Sequence, residues 1–154
     1  MMTKQKPDTA KYLESAQGCI CFNLRKSARA MTQRYEEALR PTGLRATQFS
    51  LLVATKLLGV ATISRLAKTL VMDRTTLTRN LKPLENQGFI RTTPGKDDRR
   101  EREVILTVAG QDTLDRALPL WKSVQREVIK ELGQIRVGRM LKDLLATVEV
   151  AQAS

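Results

Sequence analysis

Leu66-Ala67-Lys68-Thr69-Leu70-Val71-Met72-Asp73-Arg74-Thr75-Thr76-Leu77-Thr78-Arg79 reads as one helix, a tight turn and the start of a second helix. Thr62 is placed to cap the first, from Ile63 to about Leu70. Ala67 is small, which lets another helix cross it closely, as a helix-turn-helix requires. Val71 and Met72 fill the turn, Asp73 caps a helix from Arg74 to Asn86, and Gly88 stops it. On a helical wheel Leu77, Leu81 and Leu84 fall within about 60° of each other and face a core. The opposite face carries Thr75, Arg79, Lys82 and Asn86, flanked by Thr76 and Thr78, and holds no carboxylate. Threonines this dense are poor for helix propensity, so an ordinary solvated face explains them badly. Cations, hydroxyls and an amide suit the major groove of duplex DNA, where Arg pairs with guanine and Thr meets phosphate or a thymine methyl. Pro83 deletes one helical hydrogen bond and should bend the helix beyond that face.

Outward from this stretch, Phe89 to Thr93 and Val104 to Leu106 read as short strands joined by the charged loop Pro94 to Arg102, a β-hairpin. An Arg at a hairpin tip can enter a narrow minor groove. Asp98 stands two residues before Arg100 and is expected to hold its guanidinium in a bidentate pair. Upstream, apolar residues from Tyr12 to Leu39 keep helical spacing, predicting one long helix broken by Pro41-Thr42-Gly43. Thr47 is the expected cap of a helix to about Leu58. Downstream, Thr107 caps a helix reaching Leu132, Gly133 interrupts, and a last helix has Val137, Met140, Leu141, Leu144, Leu145 and Val148 at core spacing. The fold class is mainly α with a small β-hairpin wing: a winged helix-turn-helix plus terminal helices for dimerisation. Residues 1–9 form a disordered tail, 45–107 the DNA-binding region, and 10–40 with 108–154 the dimerisation region.

Composition narrows the function. The chain has 154 residues, about one domain, with 27 Lys+Arg against 16 Asp+Glu and a net charge of +11. The excess lies before residue 108; beyond it bases and acids nearly balance, which suits packing more than polyanion contact. There is no His, which removes Ser-His-Asp and Cys-His catalysis and every His-bearing metal site. Two Cys make neither a four-thiolate metal site nor a disulfide framework, and point to a reducing cytoplasm. With no Gly-rich phosphate loop and no clustered carboxylates either, an enzyme is not expected, and no cofactor or metal is implied. No apolar run is long enough for a signal peptide or a membrane span.

The stretch from Leu66 to Arg79, with Asp98-Arg99-Arg100, Val104-Ile105-Leu106-Thr107 and Gly110, resembles the MarR (multiple antibiotic resistance regulator) family over roughly residues 20–132. The resemblance implies a homodimeric winged-helix transcriptional regulator, usually a repressor, on a near-palindromic duplex operator. It carries the recognition helix onto Thr75 through Arg79, which includes Thr76 and Thr78, and the wing onto Asp98 and Arg100; Lys82 of the same helix face and Arg99 of the loop complete the expected DNA contacts. It also implies an effector, commonly a small aromatic or acidic ligand bound between dimer core and DNA-binding lobe. Where the family often has Gly this chain has Val71; a β-branched residue resists positive φ, predicting another backbone form for the turn.

Cys21-Phe22 and Met31-Thr32-Gln33-Arg34-Tyr35 look like the organic-hydroperoxide-sensing branch of the family. That likeness implies an oxidisable Cys21 hydrogen-bonded by Tyr35, although Arg25 replaces the branch's second sensing Tyr. On one continuous helix Cys21 would lie about 80° from the apolar stripe and Cys19 about 120° off on the other side. So placed, the two cannot form an internal disulfide. Two small residues filling a helical interface are the plainer account of the pair. A function from another class, an architectural protein coating DNA with weak sequence preference, shares the charge and the winged helix; the Thr/Arg face favours specific binding.

Overall fold

The computed structural model describes residues 9–96 and 98–153. The tail expected over 1–9 lies outside the described residues apart from Thr9, as does Asp97 of the charged loop. In chain order the elements are α1 (Ala10–Gly18), α2 (Ile20–Leu39), a 3-10 turn (Arg40–Thr42), α3 (Ala46–Leu58), β1 (Ala61–Thr62), α4 (Ile63–Leu70), α5 (Arg74–Asn86), β2 (Ile90–Pro94), β3 (Arg102–Leu106), α6 (Val108–Leu132) and α7 (Gln134–Gln152). The chain divides after Arg34 into two units.

The first unit corrects the expectation of one long helix. Gly18 ends α1, and Cys19 takes an extended conformation (φ −76°, ψ 114°). Its Sγ accepts from the Phe22 N–H at 3.4 Å, so the thiol caps α2. The Asn23 side-chain amide donates back to the carbonyls of Ala16 (3.2 Å), Gln17 (3.1 Å) and Cys19 (2.9 Å). One amide thus serves carbonyls that the end of α1 leaves without helical partners. Cys19 lies in a break and Cys21 in the first turn of α2, so the angular separation expected on a single helix does not apply to them.

The second unit, Tyr35–Ser154, holds the core. Leu39, Leu51, Leu52, Leu66, Leu77, Leu84 and Val104 are almost fully buried, each worth about 1.5–3 kcal/mol relative to exposure. Phe49 of α3 stacks on Trp121 of α6 with ring centroids 6.2 Å apart. The helix starts follow the sequence with one shift. Thr62, Asp73 and Thr107 accept from the N–H groups of Arg65 (3.2 Å), Thr76 (2.8 Å) and Gly110 (3.1 Å). By contrast α3 begins a residue before Thr47, and Gln48 Oε1 accepts from the Arg45 N–H at 2.9 Å.

The sheet has three strands, not only the expected hairpin. Its order is β1-β3-β2, antiparallel, with Ala61 opposite Val104 and Ile90 opposite Leu106. The short β1 anchors the hairpin to the chain entering α4. At the exit from β3, the Thr107 N–H donates to Phe89 O (3.0 Å) and Thr107 Oγ1 to Gly88 O (2.6 Å). Here Gly110 passes so close that a Cβ would lie 2.0 Å from Phe89 O. On α7 only Val137 is buried; Met140, Leu141, Leu144, Leu145 and Val148 are exposed in this single chain. No described helix is long and apolar enough to cross a membrane.

Candidate nucleic-acid interface

Val71 sets the angle between α4 and α5. It takes the left-handed conformation (φ 54°, ψ 45°) and is the only non-glycine among the described residues with positive φ. The Met72 N–H donates to Ala67 O (2.9 Å) and the Val71 N–H to Lys68 O (3.2 Å), the double bond that closes a helix when the next residue is left-handed. The alternative turn expected from its β-branch is therefore absent. The hydrogen bonds and the buried Leu66, Ala67 and Leu77 around it outweigh the strain of a β-branched side chain at φ > 0.

Past the turn, Asp73 receives both the N–H and the hydroxyl of Thr76, which hold its carboxyl below the usual carboxylate range. Leu77, Leu81 and Leu84 are buried as their spacing requires. Pro83 sits within α5, and the helix runs on to Asn86. The exposed side forms an open groove of about 740 Å³ lined by Arg74, Thr75, Thr78 and Arg79, then Lys82, Pro83 and Asn86. Arg74, which the sequence reading left out, lines it because it directly follows the cap. Among the described residues, neither Arg74 nor Arg79 has an anionic partner. Lys82 differs: its ammonium lies 3.8 Å from the carboxylate of Glu85, which also accepts from the Thr92 N–H of β2 at 3.2 Å. Thr76 turns inward to its cap and does not line the groove.

The wing corrects the role expected of Asp98. Its Oδ1 accepts from the backbone N–H of Arg100 at 2.8 Å, and among the described residues the carboxylate makes no bond to the guanidinium. A short acidic side chain bonds more readily to the backbone two residues on than to the tip of a long one. The turn is closed by Gly95 N–H to Glu101 O (2.8 Å) and Glu101 N–H to Asp98 O (3.0 Å). Gly95 is needed there: a Cβ would lie 2.6 Å from Asp98 O. Arg99 and Arg100 stay exposed, without an ion pair among the described residues. Ser64 Oγ donates to Glu101 Oε1 at 3.3 Å, tying the base of the wing to α4. Neither Ser64 nor Glu101 carries a sequence signal for that role.

Of the residues expected to sense oxidation, Cys19 and Cys21 belong to the first unit and Tyr35 to the second. Cys19 and Cys21 are both exposed free thiols. The Tyr35 hydroxyl, expected on Cys21, donates to Gln125 Oε1 of α6. A smaller hollow of about 350 Å³ lies where α3, β3 and α6 meet, lined by Thr55, Lys56, Val60, Ile105, Val108 and Gln111 among others.

A helix-turn-helix packed beside a three-stranded wing, both presenting cations that have no anionic partner among the described residues, matches known proteins. The MarR family model matches residues 44–102. The transcriptional regulator MosR of M. tuberculosis, solved in complex with DNA, is 40% identical; the match covers 86% of this chain and 98% of that one, with a TM-score of 0.76. This chain belongs to the MarR family. A second member, a mutant of MarR from E. coli solved with operator DNA, is 26% identical over 88% of this chain and 97% of that one (TM-score 0.77). The HTH-type transcriptional regulator YwoH of Bacillus subtilis is 33% identical over 88 residues, 57% of this chain and 64% of its own length. The two structural matches thus cover far more of the chain than residues 44–102. The fold is the winged helix of MarR regulators.

Proposed function

We propose that the protein is a repressor that binds a near-palindromic duplex operator as a homodimer, with residues 45–107 as the DNA-binding lobe and 10–40 with 108–154 as the dimerisation region. The observation that carries this is the exposed face of α5: Arg74, Thr75, Thr78, Arg79 and Lys82 line one groove without a carboxylate among them. Thr75, Thr78 and Arg79 meet base edges; Lys82, drawn toward Glu85, meets phosphate, and Thr76 shapes the helix start. Arg99 and Arg100 follow the flanking minor groove, with Asp98 ordering their backbone. The exposed apolar residues of α7 supply the dimer contact, since nothing among the described residues covers them. Pairing sets two recognition helices about 34–36 Å apart, one turn of the duplex.

Release is the finer part of the proposal. A hydroperoxide oxidises the Cys21 thiol to a sulfenic acid and is itself reduced to an alcohol. The added oxygen sits in the first turn of α2, beside the Cys19 cap. A second reading is favoured by the hollow at Lys56: a small aromatic or acidic ligand there would bear on β3 and α6 together.

The experiment is selection of bound sequences from random duplexes, followed by release screening. A two-fold-related consensus bound more than about 10-fold above random duplex supports the reading; a smaller ratio makes the protein an architectural DNA coat. Wild type, Cys19→Ser and Cys21→Ser are then titrated with an organic hydroperoxide. Release of wild type and Cys19→Ser, with Cys21→Ser staying bound, supports the thiol; all three staying bound leaves the ligand.

A further inference from the structure

We infer that Thr78 reads thymine through its methyl group and that its hydroxyl takes no part in base recognition. This rests on the DNA-binding reading above and names a contact within it. Thr75, Thr76 and Thr78 are alike in sequence, but their hydroxyls are not. That of Thr76 is spent on Asp73. That of Thr78 donates to the Arg74 carbonyl, one turn back on the same helix, at 2.8 Å. That of Thr75 has no hydrogen-bond partner among the described residues.

A threonine Cβ bears one oxygen and one methyl. With the oxygen drawn down onto the helix backbone, Cγ2 becomes the group Thr78 offers to its surroundings. Thr78 is exposed and lines the α5 groove, one turn from Arg74 on one side and from Lys82 on the other. The groove's walls are mostly apolar although all its side chains but Pro83 are polar, as expected when hydroxyls and charged heads turn aside and methyls and stems remain. The apolar feature of a base edge in the major groove is the thymine C5 methyl. For its hydroxyl to donate to a base, Thr78 must first give up the Arg74 carbonyl, exchanging one bond for another; only its lone pairs stay available, as acceptors.

The test uses the full chain and its selected operator. Each thymine is replaced in turn by deoxyuridine, which pairs identically and lacks the C5 methyl. Affinities are measured at fixed salt for wild type, Thr78→Val and Thr78→Ser. Valine keeps the methyl shape and loses the hydroxyl; serine does the reverse. Wild type and Thr78→Val should each lose about four-fold at one thymine per half-site, the worth of one buried methyl. Thr78→Ser should be weaker on the thymine duplex and indifferent to uridine at that position. A flat wild-type profile on a well-bound operator overturns the inference and leaves the function standing. So does a profile kept by Thr78→Ser and lost by Thr78→Val, which would assign the reading to the hydroxyl. Failure to select any operator sinks both.

Discussion

Replacing Gly110 by Ala should destabilise the protein by about 1–5 kcal/mol, with the middle of that range near 3, although alanine is the better helix former. A Cβ there would lie 2.0 Å from Phe89 O and 2.8 Å from Leu106 Cδ1. Backbone oxygen does not swing aside as a side-chain tip does, so the first turn of α6 must withdraw by about 1 Å. Two bonds cross that junction, Thr107 N–H to Phe89 O at 3.0 Å and Thr107 Oγ1 to Gly88 O at 2.6 Å. Stretching them costs roughly 0.5–1.5 kcal/mol each, and crowding Leu106 adds about 1–3 kcal/mol. Alanine's helical advantage returns about 1 kcal/mol. Urea unfolding at fixed protein concentration measures the balance: at an m-value of about 2 kcal/mol/M the midpoint should fall by roughly 1.5 M with m unchanged. A midpoint that stays or rises would show that α6 accommodates the methyl, and that its close approach to Phe89 is no constraint.

Val71→Gly should do the opposite. Relief of the left-handed conformation, about 1–2 kcal/mol, outweighs the extra chain entropy of glycine, about 0.5–1 kcal/mol, so the thermal midpoint should rise; a fall would mean the valine side chain contributes packing that offsets its strain. Arg79→Ala should cost about 1–3 kcal/mol of operator affinity and relax the selected consensus at one base position; an unchanged consensus refutes the facing of α5. Arg100→Ala should lose most affinity on operators with A/T-rich flanks, and Asp98→Ala should lose less in the same direction because it orders only backbone; equal losses on all flanks would move Arg100 to phosphate. Because the folded state holds the Asp73 carboxyl below its ordinary range, the helix cap contributes fully above that range and is lost as pH falls below about 4. The acid limb of the stability curve should flatten in Asp73→Asn, and a limb that stays equally steep would assign it to other carboxylates.

What the sequence made legible was local. Thr62, Asp73 and Thr107 act on N–H groups three residues on, so their roles can be read by counting, and the buried Leu77, Leu81 and Leu84 follow from helical period alone. The break at Cys19 escaped because the apolar stripe continues across it; what permits it is the Asn23 amide reaching back to three carbonyls. The two-residue strand β1 has no period to detect, and its pairing with Val104 and Glu103 comes from far along the chain. At Asp98 the spacing was right and the partner wrong, since an offset of two fits the Arg100 N–H as well as its guanidinium. In α5 the residue types were visible, but which threonine oxygen was already engaged was not.

The bare apolar stripe of α7 bears on genetics as well as assembly. The surface that joins two copies under the proposed pairing lies on a different helix from the groove of α5. An allele with a ruined α5 would therefore still make subunits that pair. In a cell carrying both alleles at equal dosage, random pairing leaves only about one dimer in four with two intact heads. Loss-of-contact alleles in α5 should behave as dominant, whereas alleles that break the α7 stripe should be recessive, because their products never enter the mixed dimer.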